Sequence, residues 1–228
     1  MDQETKKEVF TFLSTYLTDQ RKQLFDQVIQ YRTRHITVVL EDIYQPHNAS
    51  AVLRSADLTG IQDIHIIENR NQYEVNPEVA MGSSKWLNLI KYKESNENTL
   101  KAYESLRKQG YRIVATTPHT NDKNLDEISI DNKMALVFGT ELKGLSETAI
   151  QNADEYLRIP MYGFTESYNI SVSAALTLYT LTEKMRKSDI PWQLSEEEKL
   201  DILLEWTRRS IKRSDLIEKE FFLRRKNQ

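Results

Sequence analysis

The stretch Ile36-Thr37-Val38-Val39-Leu40-Glu41-Asp42-Ile43-Tyr44-Gln45-Pro46-His47-Asn48-Ala49-Ser50-Ala51-Val52-Leu53-Arg54-Ser55-Ala56-Asp57 states the fold in miniature. A β-branched run ends, the chain turns at a proline, and a helix begins near Asn48. The same alternation recurs downstream. Short apolar runs at 64–67, 87–90, 111–115, 135–138 and 156–159 are separated by helical patterns at 98–108, 146–151 and 171–187. Strands alternating with helices predict an α/β fold with a mainly parallel sheet covered on both faces. Ligands of such sheets sit at the carboxyl edge of the strands, which places Asn48 and Arg54 at that edge or within two helical turns of it. Asn48 reads either as an ordinary N-cap or as a ligand-facing amide. Arg54, on a helix of small and apolar residues, is either a solvent-facing snorkeler or a fork for an anion.

Helices flank this core at both ends. Val9, Phe10, Leu13 and Leu17 share one face of a first helix, and a second opens at Thr18-Asp19 with Leu24, Phe25, Val28 and Ile29 inward. After Ser188-Asp189-Ile190-Pro191 the helical pattern returns, with Ser195 and Glu198 forming a capping-box signature and Leu200, Leu203, Leu204 and Ile211 on one face. The predicted divisions are 1–34, 35–188 and 189–228. A chain of 228 residues can bury one substantial core with peripheral helices beside it.

Composition narrows the chemistry. The chain has no cysteine, which excludes disulfides and thiolate metal sites, and no secretory or bilayer-spanning apolar run. A soluble cytoplasmic protein with no membrane contact is expected. The formal net charge is −3, yet residues 207–228 carry eight basic side chains against three acidic ones. Arg208, Arg209, Lys212, Arg213, Lys219, Arg224, Arg225 and Lys226 make that end unlike average surface. The six glycines, at 60, 82, 110, 139, 144 and 163, form neither a G-x-G-x-x-G nor a Walker A pattern. The four histidines (His35, His47, His65, His119) lack metal-ligand spacing, so no metal is expected, and a local structural role suits His47. A nucleophile elbow is also missing.

Two further segments could carry chemistry. In Phe138-Gly139-Thr140-Glu141-Leu142-Lys143-Gly144-Leu145-Ser146 a strand ends in glycine, and a second glycine precedes the N-cap Ser146. The backbone can then approach a ligand on both sides of Glu141, although the segment alone could be a simple βα loop. Thr116 and Thr117 either line the same edge or make a turn before Pro118. The run Pro160-Met161-Tyr162-Gly163-Phe164-Thr165-Glu166-Ser167-Tyr168-Asn169-Ile170-Ser171-Val172-Ser173-Ala174-Ala175 leaves a strand, crosses a loop and starts an apolar helix, presenting amides and small polar groups to a ligand.

Taken together and in order, PHNASAVLRSADLTG, VFGTELKGLS and IPMYGFTESYNISVSAA resemble the three motifs of the SpoU class of ribose 2′-O-methyltransferases. The resemblance covers about residues 36–187. It implies a deep trefoil knot at the C-terminal part of the sheet, S-adenosylmethionine bound in the knot, and a homodimer whose catalytic site is assembled across two subunits. The flanking helices make the chain most similar to the TrmH family of tRNA (guanosine-2′-O)-methyltransferases, in which such extensions contact tRNA. Six residues of the basic end, Arg208, Arg209, Lys212, Arg213, Arg224 and Arg225, are the RNA-contact candidates. By the same resemblance Arg54 is the base that activates the ribose 2′-hydroxyl, Asn48 orients the ribose or Arg54, Glu141 supports the site, and Ser167 and Asn169 fix the loop. Thr116, Gly139, Ile159, Met161 and Tyr168 would make the cofactor pocket. Glu166, Tyr168 and Ser55 stand where the family pattern has glutamine, leucine and threonine. The expected reaction is methylation of guanosine 18 in the tRNA D-loop; a ribosomal RNA 2′-O-methyltransferase and a non-catalytic RNA-binding module are the alternatives.

Overall fold

The computed structural model describes residues 1–228 except 75, 119–121, 141–142 and 227–228. His119 and Glu141 therefore lie outside the described residues. The described chain divides into two units, residues 33–192 and a helical unit of residues 1–32 with 193–228.

In the larger unit the strands are β1 (Ile36–Glu41), β2 (Asp63–Ile67), β3 (Asn88–Tyr92), β4 (Arg112–Thr116), β5 (Lys123–Asn124), β6 (Met134–Phe138) and β7 (Glu155–Arg158). They form one sheet in the order β3-β2-β1-β6-β4-β7-β5, and every pairing is parallel. The two-residue β5 has no periodicity of its own and escapes a sequence reading. Because β6 inserts between β1 and β4, the winding of the sheet reverses there, and the loops leaving β1, β4, β6 and β7 gather at one carboxyl edge.

Side-chain alternation builds two cores. Val38, Leu40, Leu136 and Phe138 point into a layer with helices α3 (Pro46–Leu58) and α7 (Ile170–Arg186), through Val52, Leu53, Ala56, Ala174, Leu178 and Leu181. Val39, Ala135, Val137, Ile113 and Ala115 point the other way, onto α5 (Asn98–Lys108) through Ala102, Tyr103 and Leu106. The short helices α4 (Pro77–Ala80) and α6 (Glu147–Gln151) complete the set between them. Both faces being covered explains why β1 and β6 are buried throughout and read as unbroken apolar runs. Each fully buried Val, Leu or Ile contributes about 1.5–3 kcal/mol of transfer free energy, so this sandwich dominates the stability of the unit.

Helix α3 begins at Pro46, with Gln45 in the N-cap position. The N-cap reading of Asn48 is thus corrected: it sits buried in the first turn, and its side chain donates to Gln45 and accepts from Asn169. Proline at N1 sacrifices no hydrogen bond and presets φ, which is why the helix starts earlier.

Inside the sheet, His65 Nδ1 lies 3.0 Å from the Tyr92 hydroxyl, with the two rings stacked. Burial lowers its pKa from 6.5 to about 4, against a weaker opposing pull from Asp63. The unfolded chain then binds the extra proton between these values, so stability is complete above pH 6.5 and is lost as pH falls toward 4. Relative to His65→Asn, the wild type should lose on the order of 3 kcal/mol across that window. Urea denaturation at closely spaced pH values checks this; parallel curves for the two proteins would refute it.

In the helical unit α1 (Gln3–Ser14) packs on α8 (Glu196–Ser210) and α9 (Ser214–Lys226), while α2 (Asp19–Ile29) packs on α8. Val9, Leu13 and Leu204 form its centre, and the Phe25 and Trp206 rings stand 5.4 Å apart. The Ser195–Glu198 capping box is present in both directions. Two details differ from the sequence reading. Leu24 faces solvent, and the buried face of α8 is Ile202, Leu204, Trp206 and Thr207, with Leu200 and Leu203 only partly covered. The N-terminal and C-terminal helices, read as separate extensions, share one core.

Candidate active site

The loop after β6 is built around a steric necessity. A Cβ on Gly139 would lie 2.3 Å from the carbonyl carbon of Gly144 and 2.4 Å from the amide of Leu145, so only glycine fits. Thr140 and Gly144 exchange backbone hydrogen bonds of 2.9 and 3.0 Å, and Gly144 takes φ +65°, closing the loop on itself. Its far end is clamped by a buried carboxylate: Glu41 accepts from the Ser146 amide (2.9 Å), the Ser146 hydroxyl (2.8 Å) and the Thr99 hydroxyl (2.6 Å). The same Ser146 hydroxyl accepts from the Ala149 amide as the N-cap of α6. Sequence reasoning missed Glu41, although a carboxylate ending an apolar strand was a usable signal.

Against this loop lies a cavity of about 370 Å³. Thr116 after β4, Gly139 after β6, Ile159 and Met161 after β7, and Ser167 and Tyr168 before α7 all line it. Thr116 Oγ1 donates to the Val137 carbonyl, which leaves mainly its backbone to the cavity. The wall from α7 includes Ser173 and Thr177, which the sequence did not single out. Thr177 Oγ1 is buried without a hydrogen-bond partner among the described residues. An unmet buried hydroxyl costs about 1–3 kcal/mol, so a polar ligand here would recover energy that the protein alone forgoes.

A second cluster joins two of the predicted segments. Asn169 Nδ2 donates to Asn48 Oδ1 at 3.1 Å, and Asn169 Oδ1 accepts from the amide and hydroxyl of Ser171, capping α7. Asn48 Nδ2 in turn donates to Gln45. Arg54 stands apart: it is exposed, does not line the cavity, and makes no ion pair among the described residues. His47 is exposed as well.

On α7, Val172, Leu176 and Tyr179 recur at helical spacing and stay exposed, as do Tyr162 and Phe164 in the preceding loop. In the helical unit, Arg208 is held between Glu218 and Glu205 at 2.6 Å from each, and hydrogen bonding to Glu218 raises its pKa further. Arg209 pairs with Glu205, Arg224 with Glu220 and Arg225 with Glu8. Lys212 and Arg213, in the α8–α9 turn, are exposed and have no such partner among the described residues.

An all-parallel sheet with its loops converging on a small cavity of mixed apolar and polar lining defines a ligand-binding α/β protein. The model of the SpoU rRNA Methylase family matches residues 35–179, and the chain belongs to that family. It is 44% identical over 218 residues to the tRNA (guanosine(18)-2′-O)-methyltransferase of Borreliella burgdorferi, covering 96% of this chain and 98% of that protein. The enzyme of the same name from Thermus thermophilus is 31% identical over 195 residues, with 84% and 98% coverage. Among solved structures, the TrmH/SpoU tRNA modifying enzyme of A. aeolicus superposes with a TM-score of 0.75 at 27% identity, over 86% of this chain and 98% of that one.

Proposed function

We propose that this protein is an S-adenosylmethionine-dependent RNA ribose 2′-O-methyltransferase acting on guanosine 18 of the tRNA D-loop. The observation that carries the reading is the cavity built by Thr116, Gly139, Ile159, Met161 and Tyr168, next to a loop where even a methyl group is excluded. Its polar orphan, Thr177 Oγ1, and its mix of apolar walls and loop backbone suit an amphiphilic cofactor.

When bound, S-adenosylmethionine supplies a sulfonium methyl already activated toward displacement. The protein's share is to align a weak oxygen nucleophile and deal with its proton. Asn48 and Asn169, linked to each other, hold the loop after β1 against the start of α7, and Ser167 contributes to the cavity wall. Arg54 presents a planar guanidinium fork that matches the geometry of a phosphate, so its first role is to clamp an RNA phosphate beside the reacting ribose. Glu141 supports the site. The protein works as a homodimer, which the exposed apolar stripe of α7 favours, and the catalytic groups of one protomer complete the site of the other. The reading includes the deep trefoil knot of the class, formed by the segments after β6 and β7, and a place in the cytoplasm with tRNA.

Unmodified tRNA transcript incubated with labelled cofactor should yield 2′-O-methylguanosine at position 18 on nucleoside analysis. Label in ribosomal RNA fragments but not in tRNA would overturn the substrate assignment.

The helical unit supplies the tRNA contact. Four of its six candidate basic residues are already neutralised by carboxylates, which leaves Lys212 and Arg213 as the charges available to displace counterions. Removing both, as Lys212→Ala with Arg213→Ala, should reduce the slope of log affinity against log salt by up to about 2, whereas Arg208→Ala leaves it nearly unchanged. Equal slopes in all three proteins would count against this assignment.

A further inference from the structure

We propose that a second cavity, of about 930 Å³, receives an unstacked nucleotide of the RNA next to the one being methylated. This rests on the methyltransferase reading above. Thr140, Lys143, Gly144 and Leu145 line both cavities, so the two lie on either side of one loop. A strand whose ribose enters the first can lay its neighbour in the second. The volume falls within the ~300–1,000 Å³ of small-ligand sites.

The lining has the chemistry of a nucleotide site. Tyr44 is 72% exposed at its edge, a platform on which a base can stack. Arg70 and Lys143 are exposed cations without ionic partners among the described residues, suited to a phosphodiester. Between them stand amide side chains whose remaining groups are complementary. Asn69 donates to the Thr99 hydroxyl and Asn71 to the Asp42 carbonyl, so each keeps its carbonyl oxygen as an acceptor. Gln45 spends its oxygen on Asn48 and keeps its amide hydrogens as donors. Donors and acceptors on one wall suit the edge of a base.

The wall is fixed before any ligand arrives. Asp42 adopts φ +53°, and its Oδ1 accepts from the amides of Asn69 (2.7 Å), Arg70 (2.8 Å) and Asn71 (3.4 Å). Two carboxylates of the lining, Glu41 and Asp42, are thus consumed internally, while Glu97 and Glu147 remain exposed. With four carboxylates against two cations, the lining is formally acidic. Stacking and base-edge contacts carry the affinity, and phosphate charge contributes about one slope unit for each cation that meets a phosphate.

Fluorescence anisotropy of the full-length protein with labelled tRNA transcript, over a series of salt concentrations, tests this. Tyr44→Ala should weaken binding about 5- to 100-fold with an unchanged salt slope, and Tyr44→Phe should restore it. Arg70→Ala should lower the slope by about 1. Binding of S-adenosylmethionine, followed by equilibrium dialysis, should stay within about twofold in each variant. Tyr44→Ala with wild-type tRNA affinity overturns the proposal, as does a Tyr44→Phe protein as weak as the alanine variant. A change in sedimentation mass with tRNA affinity intact would make the cavity a protein contact and likewise overturn it. A wild type that binds tRNA and cofactor without methylating removes the catalytic reading and leaves the anisotropy result to decide the cavity.

Discussion

Gly139→Ala should abolish S-adenosylmethionine binding and lower the melting temperature by about 6–12 °C. The added Cβ meets backbone atoms of Gly144 and Leu145 at 2.3–2.4 Å, and backbone cannot swing aside as a flexible side chain would. The loop must shift. Overpacking costs about 1–3 kcal/mol where side chains can adapt, so a backbone collision belongs at or above the upper end. For a chain of this size about 1 kcal/mol corresponds to some 2–4 °C. The clash is not a matter of φ, since Gly139 is not among the glycines with positive values. Gly163 provides the control: it too lacks a positive φ, and a Cβ there meets nothing within 4 Å. Gly163→Ala should leave stability within about 0.5 kcal/mol. Calorimetry and cofactor titration of the pair decide the matter, and a Gly139→Ala protein with wild-type melting and affinity would dismiss the proposed role of this loop.

The second large effect is expected at Arg54. Arg54→Ala should reduce kcat/KM by at least about 100-fold, a loss of roughly 2.7 kcal/mol in transition-state stabilisation. Folding stability should not move, because the side chain is exposed and lacks an ion pair among the described residues. Arg54→Lys keeps a positive charge but loses the bidentate fork, so a phosphate clamp predicts measurable residual activity. Single-turnover assays check this: activity as low in the lysine variant as in the alanine variant would remove the charge-based clamp as the role of Arg54. Near-wild-type turnover in Arg54→Ala would remove the clamp and the base alike.

Much of this architecture is legible in local sequence because its causes are local. Thr18 and Ser195 announce helix starts through side-chain oxygens that reach amides within three residues. The buried runs of β1 and β6 announce a sheet covered on both sides. Thr116 at a strand end and Tyr168 in the run before α7 each stand in a locally legible segment, but that they line one cavity was legible only through motif resemblance. Where the cause is distant, the sequence is silent. Glu41 and Ser146 are 105 positions apart, and Asn48 and Asn169 are 121 apart. Leu24 carries the apolar signature of a core residue yet faces solvent, because the neighbours packed on α2 cover Phe25 and Ile29 instead.

By itself, then, the sequence determined the order of elements, their periodicity and the family, all properties written within a few residues or within a contiguous motif. Tertiary structure decided that β6 enters between β1 and β4, that the terminal helices close on a shared core, and that Asn48 bonds across to α7 rather than capping its own helix. The physical reason is the same in each case. A local pattern specifies which face of an element must be buried, but the partner that buries it is selected by the packing of the whole chain.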